Sequence, residues 1–419
     1  MQWAFIVRIM DDMHDDVLPR LASRVLARTL EVLPVGVVTG ARQTGKSTLV
    51  GLPEFAGREY CTLDDVRLRD LARRDPDLLL DRAHRLVIDE VQRAPDLLIA
   101  IKKRVDERRE PGRYILTGST DLLLQERVSE SLAGRAGYVR LWPLTRREQL
   151  GLATAGVWSD LLAAEPATWP ELLRAQTAAP ESWPALAERG GYPVPAHRLP
   201  TVEARSIWLD GYAATYLERD VAQLAAIEHL ADMRRLMSAL CLRIGGLLNQ
   251  AEVARDLGLS PTTVKRYVDL LEVSHQLVRL PAYSVNRTKR LMKASKIYWT
   301  DTGLALRLSG EATPRGPHLE NLIAIDLLAW SAATQGRPNV LHWRTSSGAE
   351  VDFVIELPQR LLPIEVKAAK RVGRLDARHL RTFLDEYSDL ADAALLLYDG
   401  DETVWIERGV LATPWHRVI

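Results

Sequence analysis

The fold class of this chain follows from one segment, Val37-Val38-Thr39-Gly40-Ala41-Arg42-Gln43-Thr44-Gly45-Lys46-Ser47-Thr48. An apolar run leads into two glycines, and the second is followed by a lysine and a hydroxyl residue, in the pattern G-x-x-x-x-G-K-[ST]. Gly40 and Gly45 permit a tight loop whose backbone N–H groups point inward, where they can bind phosphate oxygens. The residues after the loop are expected to open a helix, whose positive N-terminal end also favours phosphate.

The pattern is that of the P-loop nucleotidases, and it assigns a role to each polar residue. Lys46 is expected to lie between the β- and γ-phosphates of ATP, and Ser47 to offer its hydroxyl to Mg²⁺. The whole loop is expected to contact the nucleotide, through Gly40, Ala41, Arg42, Gln43, Thr44, Gly45, Lys46, Ser47 and Thr48.

A second motif, Leu86-Val87-Ile88-Asp89-Glu90, is an apolar strand that ends in two acids. Asp89 is expected to hold Mg²⁺ together with Ser47, and Glu90 to polarise the attacking water as a general base. An acid-ended strand is weak evidence alone, but downstream of a complete phosphate-binding loop it is strong evidence for nucleotide hydrolysis.

Two further features add candidate residues to this site. The strand Tyr114–Ser119 ends in hydroxyls, so Thr117 or Ser119 is a candidate sensor of the γ-phosphate, with a plain strand-end turn as the alternative. Arg135 lies in a Gly-flanked turn before the next strand. It is a candidate catalytic arginine finger, within the chain or toward a neighbour, with an ordinary surface arginine as the alternative.

The pattern of strands and helices predicts an α/β protein of several domains. Residues 17–150 alternate strands and helices, as a parallel P-loop ATPase sheet requires. Residues 151–242 are expected to form a helical connector or lid, residues 243–310 a winged helix, and residues 311–419 a restriction-endonuclease-like α/β domain.

The winged-helix prediction rests on a helix ending at Gly258, followed by Ser260-Pro261, which suit the N-cap and first position of a second helix. A β-wing is expected next, with Asn286–Arg290 at its tip. Seven basic residues form a local patch that favours contact with DNA phosphates: Lys265, Arg266, Arg287, Lys289, Arg290, Lys293 and Lys296. The alternative is a winged helix that binds another protein.

The C-terminal region carries a second chemical pattern. Asp352 lies in one strand, and Glu365 and Lys367 lie two apart in the next, so the latter two share a sheet face. With Glu320 on a preceding helix they give the order E…D…E-x-K. Two carboxylates can bind Mg²⁺ and a lysine can position water, which predicts a nuclease site. The alternative is a former nuclease core whose acids and lysine now form buried ion pairs.

Composition restricts the partners and the kinds of site that the chain is expected to have. Lys and Arg number 55 and balance 55 Asp and Glu, so net charge predicts no partner. Cys61 and Cys241 lie far apart and suit a reducing cytoplasm without a disulfide framework or a cysteine-based zinc site. No apolar run approaches the roughly 20 residues of a membrane helix, so no membrane partner is expected.

The whole chain resembles a bacterial and archaeal family of AAA-type ATPases whose C-terminal domain, of unknown function, combines a winged helix with a restriction-endonuclease-like fold. The resemblance is carried by Gly40–Thr48, Leu86–Gln92, Leu116–Ser119, Gly134-Arg135, Trp142–Leu144, Gly191–Pro193, Tyr216–Asp220, Trp299–Gly303, Glu320-Asn321, Trp343-Arg344, Glu350–Phe353 and Ile364–Lys367. It implies ATP binding and hydrolysis in the N-terminal domain. It does not imply a ring, because no AAA lid with a sensor arginine is evident, although an oligomer is possible.

Three functional hypotheses follow. The first is a Mg²⁺-dependent ATPase whose nucleotide state switches a C-terminal module that binds DNA or a partner. The second is an ATP-gated, metal-dependent nuclease that uses Asp352, Glu365 and Lys367, with Glu320 in support. The third is an ATPase whose C-terminal module is non-catalytic and binds protein.

Overall fold

The N-terminal part of the molecule is built on a five-stranded sheet. In the computed structural model, which describes residues 17–119, 132–176, 180–215 and 230–419, the strand order is β2-β3-β4-β1-β5. The strands are β1 (Val35–Thr39), β2 (Glu59–Thr62), β3 (Leu86–Asp89), β4 (Tyr114–Gly118) and β5 (Ala136–Arg140). All neighbours are parallel, so the carboxyl ends of the strands meet at one edge. The predicted parallel P-loop sheet is confirmed.

Helices cover both faces of this sheet: α1 (Leu21–Val32), α2 (Lys46–Val50), α3 (Val66–Arg74), α4 (Pro76–Leu80) and α5 (Leu97–Glu107). Side chains of β1 alternate between two cores, because successive strand residues point to opposite faces. Val38 packs on one face with Leu26 of α1, whereas Val37 packs on the other with Ile101 of α5. Burial on both faces explains why β1, β3 and β4 are continuous apolar runs.

A helical region follows the sheet. Its helices are α6 (Arg146–Gln149), α7 (Trp158–Ala163), α8 (Trp169–Arg174), α9 (Trp183–Arg189), α10 (Val202–Tyr212), α11 (Leu230–Cys241), α12 (Gln250–Leu257) and α13 (Pro261–Val273). A short π-helical turn, Val194–Arg198, lies between α9 and α10. The segment Tyr216–Asp220, which helps to carry the family resemblance, lies outside the described residues.

Helices α12 and α13, joined by the three residues 258–260, lie where the helix-turn-helix is predicted. Gly258 ends α12 with a φ of 67°, and the Ser260 hydroxyl caps α13 by accepting a hydrogen bond from the N–H of Thr263 at 3.0 Å. These two boundaries are confirmed. Local capping chemistry sets them, which is why they can be read from the sequence.

The segment that is predicted to form the tip of a β-wing forms a helix instead. Strands β6 (Leu277–Leu280) and β7 (Lys296–Trp299) pair antiparallel, but between them lies a helix, α14 (Arg287–Met292). The prediction that Asn286–Arg290 form the tip of a β-wing is therefore wrong. The Asn286 side chain accepts a hydrogen bond from the N–H of Thr288 at 3.0 Å, an arrangement that starts a helix rather than a strand turn.

The C-terminal part contains helices α15 (Thr302–Ser309), α16 (Gly316–Ala333) and α17 (Arg378–Glu386). Its six-stranded mixed sheet has the order β12-β13-β11-β10-β9-β8. The strands are β8 (Asn339–Arg344), β9 (Glu350–Leu357), β10 (Arg360–Lys367), β11 (Ala394–Tyr398), β12 (Val404–Glu407) and β13 (Val410–Pro414). Helix α16 covers one face of this sheet and α17 covers the other.

One hydrophobic core links these regions. A continuous cluster of buried side chains extends from Ala41 in the phosphate-binding loop, through α9 and α13, to Ile419. The predicted boundaries at residues 242/243 and 310/311 therefore fall within a shared core. Among the described residues, no helix has both the length and the apolar character needed to cross a membrane.

Candidate functional site

The predicted phosphate-binding loop leaves the carboxyl end of β1 and enters α2. At Gly40 a Cβ atom would lie 2.3 Å from the carbonyl oxygen of Leu141, so only glycine fits there. Gly45 has a φ of 90° immediately before α2, which also favours glycine. The Thr44 hydroxyl donates to the carbonyl of Ala41 at 2.8 Å and closes the loop. The two glycines thus have the structural roles that the sequence pattern predicts.

Lys46 is buried inside this loop. Its Nζ atom donates to the carbonyl oxygens of Gly40 at 3.0 Å and Ala41 at 2.9 Å. Burial lowers the pKa of Lys46 to about 8, although the nearby Glu90 and Asp89 carboxylates act in the opposite direction. The loop therefore holds a partly desolvated ammonium group at the place where phosphate is expected to bind.

Asp89, at the end of β3, is surrounded by three hydroxyl groups. Its carboxylate lies 3.2 Å from the Ser47 hydroxyl, accepts a 2.6 Å hydrogen bond from Tyr60, and accepts another from Thr117. Ser47 and Asp89 thus place two hard oxygen donors side by side beside the loop. Mg²⁺ prefers such donors and completes its octahedron with water and phosphate oxygens, so this pair fits the ion.

Tyr60 is a site residue that the sequence analysis missed. No motif marks it, because its contact with Asp89 depends on β2 lying next to β3 in the sheet. Burial raises the pKa of Tyr60, and Asp89 raises it further, so the phenol stays protonated and donates its hydrogen bond.

Glu90 lies in the turn after β3, with a φ of 57° that is uncommon for a residue other than glycine. Its N–H donates to the Thr117 hydroxyl at 3.2 Å. Its carboxylate accepts hydrogen bonds from Gln92 and, at 3.5 Å, from the Ser119 hydroxyl. The two candidate sensor residues therefore both contact the acid pair, and so does Gln92, to which the sequence analysis gave no role.

Arg20 connects the phosphate-binding loop to the residues that follow β5. It is another residue of the site that the sequence analysis did not identify. Its guanidinium donates to the carbonyl oxygens of Thr44 at 2.8 Å and Trp142 at 2.6 Å, and it lies 3.2 Å from Glu148. Both charged side chains of this pair are buried. Arg20 precedes α1, far from the motifs in sequence, so only the folded chain reveals its role.

Arg135 lies away from the phosphate-binding loop. It precedes β5, and its carbonyl accepts a hydrogen bond from Val35 at the amino end of β1, whereas the loop follows the carboxyl end. Its guanidinium pairs with Asp106 at 2.6 and 2.8 Å. The position does not support an arginine finger within the same chain, and a role toward a neighbouring chain stays a prediction.

A cleft opens beside the loop. Its lining combines loop residues with the N-terminal segment and the π-helical turn, and includes Val17, Leu18, Gln43, Thr48, Pro193 and His197. Most of this lining is apolar. The cleft is therefore contiguous with the loop and can accept a flat, partly apolar group attached to a phosphate chain.

The predicted basic patch is only partly exposed. Lys265, Arg266, Arg287 and Lys293 are exposed. Arg290 instead forms a two-bond ion pair with Glu356 at 2.6 and 2.7 Å, and the side chain of Lys289 lies outside what the structure describes. Lys296 is buried, so its assignment to a solvent-facing patch is wrong.

The four residues of the predicted nuclease pattern do meet. Glu320 projects from α16, Asp352 from β9, and Glu365 and Lys367 from β10. Asp352 accepts a 2.9 Å hydrogen bond from the N–H of Val366, and Lys367 donates to Glu365 at 2.5 Å. Burial, together with the charge of Asp352, raises the pKa of Glu320 to about 7 and that of Glu365 to about 8.

Lys296, from β7, also enters this group of acids. Its Nζ atom lies 3.0 Å from Glu320, 2.8 Å from Asp352 and 2.7 Å from Glu350. Burial alone would lower the pKa of Lys296, but the carboxylates around it, Asp352 foremost, outweigh this effect and raise it. Among the described residues, no group of three or more acidic, histidine or cysteine side chains is arranged to hold a metal ion.

Family models match three consecutive parts of the chain. Residues 34–150 match an AAA domain, residues 180–315 a domain of unknown function (DUF8612), and residues 315–418 a domain of unknown function (DUF4143). Two curated relatives, uncharacterized proteins of Mycobacterium tuberculosis and Mycobacterium bovis, are each 34% identical over 412 residues, covering 96% of this chain and 84% of the relative.

Solved structures similar to the chain are more distant. The Walker-type ATPase PABY2304 of Pyrococcus abyssi is 15% identical, with a TM-score of 0.43, over 70% of this chain and 97% of that one. The RuvB Holliday junction branch migration motor of Thermotoga maritima is 17% identical, with a TM-score of 0.26, over 65% and 93%. At these TM-scores, neither supports an inference about function.

Proposed function

Because this chain belongs to the family of proteins that join an AAA domain to a C-terminal domain of unknown function (DUF4143), we propose that it is a Mg²⁺-dependent ATPase. One observation carries the proposal. The side chains of Lys46, Ser47, Asp89 and Glu90 gather at the carboxyl edge of the parallel sheet, around the loop that the phosphates would enter.

The chemistry follows from these groups. Lys46 and the loop N–H groups would bind the phosphates, and Ser47 and Asp89 would hold Mg²⁺, which would supply positive charge beside the phosphate oxygens. Glu90 accepts the proton of the attacking water. Thr117 and Ser119, through their contacts with Asp89 and Glu90, would fix the two acids in place. The adjoining cleft would hold the adenine and ribose.

The test compares three variants of the full chain. Lys46→Ala should abolish ATP turnover, because the charge that binds the phosphates is lost. Glu90→Gln should bind ATP but hydrolyse it about 100-fold more slowly or worse, as the loss of a general base predicts. Lys103→Ala, at an exposed position on α5, is the matched control and should turn over ATP normally. Unchanged turnover in Lys46→Ala would overturn the assignment.

We further propose that nucleotide state reaches the C-terminal module through a chain of contacts. Pro193 lines the nucleotide cleft, and the preceding residues Gly191 and Tyr192 donate backbone N–H bonds to buried Asp301 at 2.6 and 3.2 Å. Asp301 follows β7 and caps α15. In β7 itself, the backbone of Trp299 exchanges two hydrogen bonds with the side chain of Asn321, on α16.

These contacts support a switch because they are short, buried and continuous. A movement of the Gly191–Pro193 segment would pull on Asp301 and hence on α15 and α16, which border the C-terminal sheet. Packed elements of this kind shift between discrete arrangements rather than bend gradually.

DNA is the partner that we propose for the helix-turn-helix. The observation in favour is that Lys265 and Arg266 are exposed on α13, its second helix, which is the element that enters the major groove in such motifs. A protein partner is the alternative outcome of a DNA-binding test with charge-reversal variants of the two helices. The two buried free thiols, Cys61 and Cys241, favour a reducing compartment such as the cytoplasm.

A further inference from the structure

The C-terminal acidic cluster, formed by Glu320, Glu350, Asp352 and Glu365, contains a cation that the chain itself supplies. The Lys296 ammonium contacts three of the four carboxylates at 2.7–3.0 Å. An ammonium group has three N–H donors, so these three acceptors match its capacity. The lysine therefore offsets part of the negative charge of these three acids without a metal ion.

The ammonium lies where a bridging metal would have to lie. It is between Glu320 on α16 and Asp352 on β9, the first two acids of the predicted nuclease pattern. Mg²⁺ binds oxygen at about 2.0–2.1 Å, so an ion shared by these two acids would have to displace the lysine. The Lys296 side chain is 1% exposed, and it belongs to a strand that pairs with β6. Displacement would therefore require this buried side chain to give up its contacts with three carboxylates.

The remaining acid offers little to a metal. One oxygen of Glu365 accepts from Lys367 at 2.5 Å, and the other has no hydrogen-bond partner among the residues that the structure describes. Glu365 therefore offers one oxygen, and a Mg²⁺ or Mn²⁺ ion would have to take its second carboxylate from an acid that already contacts Lys296. The second oxygen of Asp352 already accepts from the backbone of Val366.

We propose that Lys296 is the permanent cation of this acidic cluster, and that the cluster joins β7 to the C-terminal sheet instead of binding a divalent metal and cleaving DNA. Strand β7 follows the helix-turn-helix in the chain, so the Lys296 contacts fasten that module to α16 and β9. This inference does not depend on the proposed ATPase activity.

The first experiment measures Mn²⁺ binding to the wild-type full chain and to Asp352→Asn by electron paramagnetic resonance. The pair at Ser47 and Asp89 is common to both proteins, so the difference between them isolates the acidic cluster. We expect the two proteins to bind the same amount of Mn²⁺. A wild-type site that disappears in Asp352→Asn would overturn the proposal.

The second experiment removes the internal cation. Lys296→Met keeps much of the apolar stem but leaves the acids without their ammonium, so it should gain a Mn²⁺ site and a metal-dependent rise in Tm on the order of 5 °C. Lys296→Arg keeps the charge and should gain neither. The double variant Lys296→Met/Asp352→Asn should lose the new site.

A folded Lys296→Met protein that gains no Mn²⁺ would overturn the proposal, because the lysine would then not be what excludes the metal. If Lys296→Met does not fold, the comparison of wild type with Asp352→Asn decides alone. A plasmid assay with Mn²⁺ provides an independent readout. Wild type should leave DNA intact, and cleavage that Asp352→Asn removes would contradict the proposal.

Discussion

At the residue scale, the hydroxyl of Tyr60 is the least expected part of the nucleotide site. It donates to Asp89 at 2.6 Å and so orients the acid that is proposed to hold Mg²⁺. A hydrogen bond of this kind contributes about 1 kcal/mol, so Tyr60→Phe should lower kcat of ATP hydrolysis roughly fivefold. Steady-state turnover at saturating ATP and Mg²⁺ measures the effect.

Tyr114→Phe is the matched control for this prediction. Tyr114 begins β4 in the same sheet, and its hydroxyl has no hydrogen-bond partner among the described residues. The control should turn over ATP like wild type. Equal activity of Tyr60→Phe and wild type would show that Asp89 does not need this donor.

The lowered pKa of Lys46 predicts how the affinity for ATP depends on pH. Burial lowers the pKa of Lys46 to about 8, so in the free protein the ammonium loses its proton as the pH rises through this value rather than through 10.5. ATP needs the charged form. Its affinity should therefore be steady below about pH 8 and fall about tenfold per pH unit above it. Fluorescence titration with a labelled ATP analogue measures this profile.

Lys46→Arg provides the comparison, because a guanidinium group stays protonated throughout this pH range. Whatever its absolute affinity, the variant should show no loss of ATP binding between about pH 8 and about pH 10. A wild-type profile as flat as that of the arginine variant would show that Lys46 is not the group whose charge binds the phosphates.

At the element scale, the helix-turn-helix is the part of the chain best placed to contact DNA. Arg266 is exposed on α13, and Arg255 is exposed on α12, the first helix of the motif. If α13 contacts DNA phosphates, Arg266→Glu should weaken duplex binding and reduce the slope of log affinity against log salt by about 1 or more. Arg255→Glu makes the same charge change outside the second helix and should have a smaller effect.

Fluorescence anisotropy with a labelled duplex at several salt concentrations distinguishes the outcomes. Equal effects of the two substitutions would indicate a general charge effect rather than a contact at α13. Binding that neither substitution alters would argue that this module recognises a protein partner instead.

The segment between β6 and β7 shows why the type of an element can be predicted wrongly from the sequence. Its basic residues, Arg287 to Lys293, give no apolar alternation, and only its position after the helix-turn-helix predicts a wing. In the folded chain it forms α14, and Arg290 is fixed by a paired contact with Glu356, which lies 66 positions away. Such distant pairing leaves no local pattern in the sequence.

At the scale of the whole molecule, Asp301 connects the nucleotide cleft to the C-terminal part. ATP binding to wild type should change amide hydrogen exchange in α15 and α16 as well as near the P-loop. Asp301→Asn replaces an acceptor oxygen by an amide group, so it weakens the bonds from Gly191 and Tyr192. The variant should still bind ATP, but the exchange change at α15 and α16 should be lost.

Asp210→Asn is the control for this experiment. Asp210 is exposed and pairs with Arg307 on α15, so the substitution makes the same chemical change at a surface contact with that helix. It should preserve the exchange response of wild type. If Asp301→Asn also preserves the exchange response, the effect of ATP binding on α15 and α16 is not transmitted through the Asp301 contact.

Elements whose causes are local can be predicted from the sequence. Gly40, Gly45 and the residues after them specify the phosphate-binding loop, because backbone angle and close approach act within a few residues. Gly258 and Ser260 specify the ends of α12 and α13 in the same way, through capping. The parallel sheet followed from apolar runs of strand length that alternate with helices.

The tertiary structure alone decided the contacts between residues far apart in the chain. Tyr60 meets Asp89 only because β2 lies beside β3, and Arg135 leaves the nucleotide site because β5 runs parallel to β1. Lys296 contacts Asp352 in the acidic cluster although the two residues lie 56 positions apart in the sequence. The sequence predicts a surface charge at Lys296, whereas the folded chain buries it as an internal cation. Strand order and register set these meetings, and a pattern within a few residues contains no information on either.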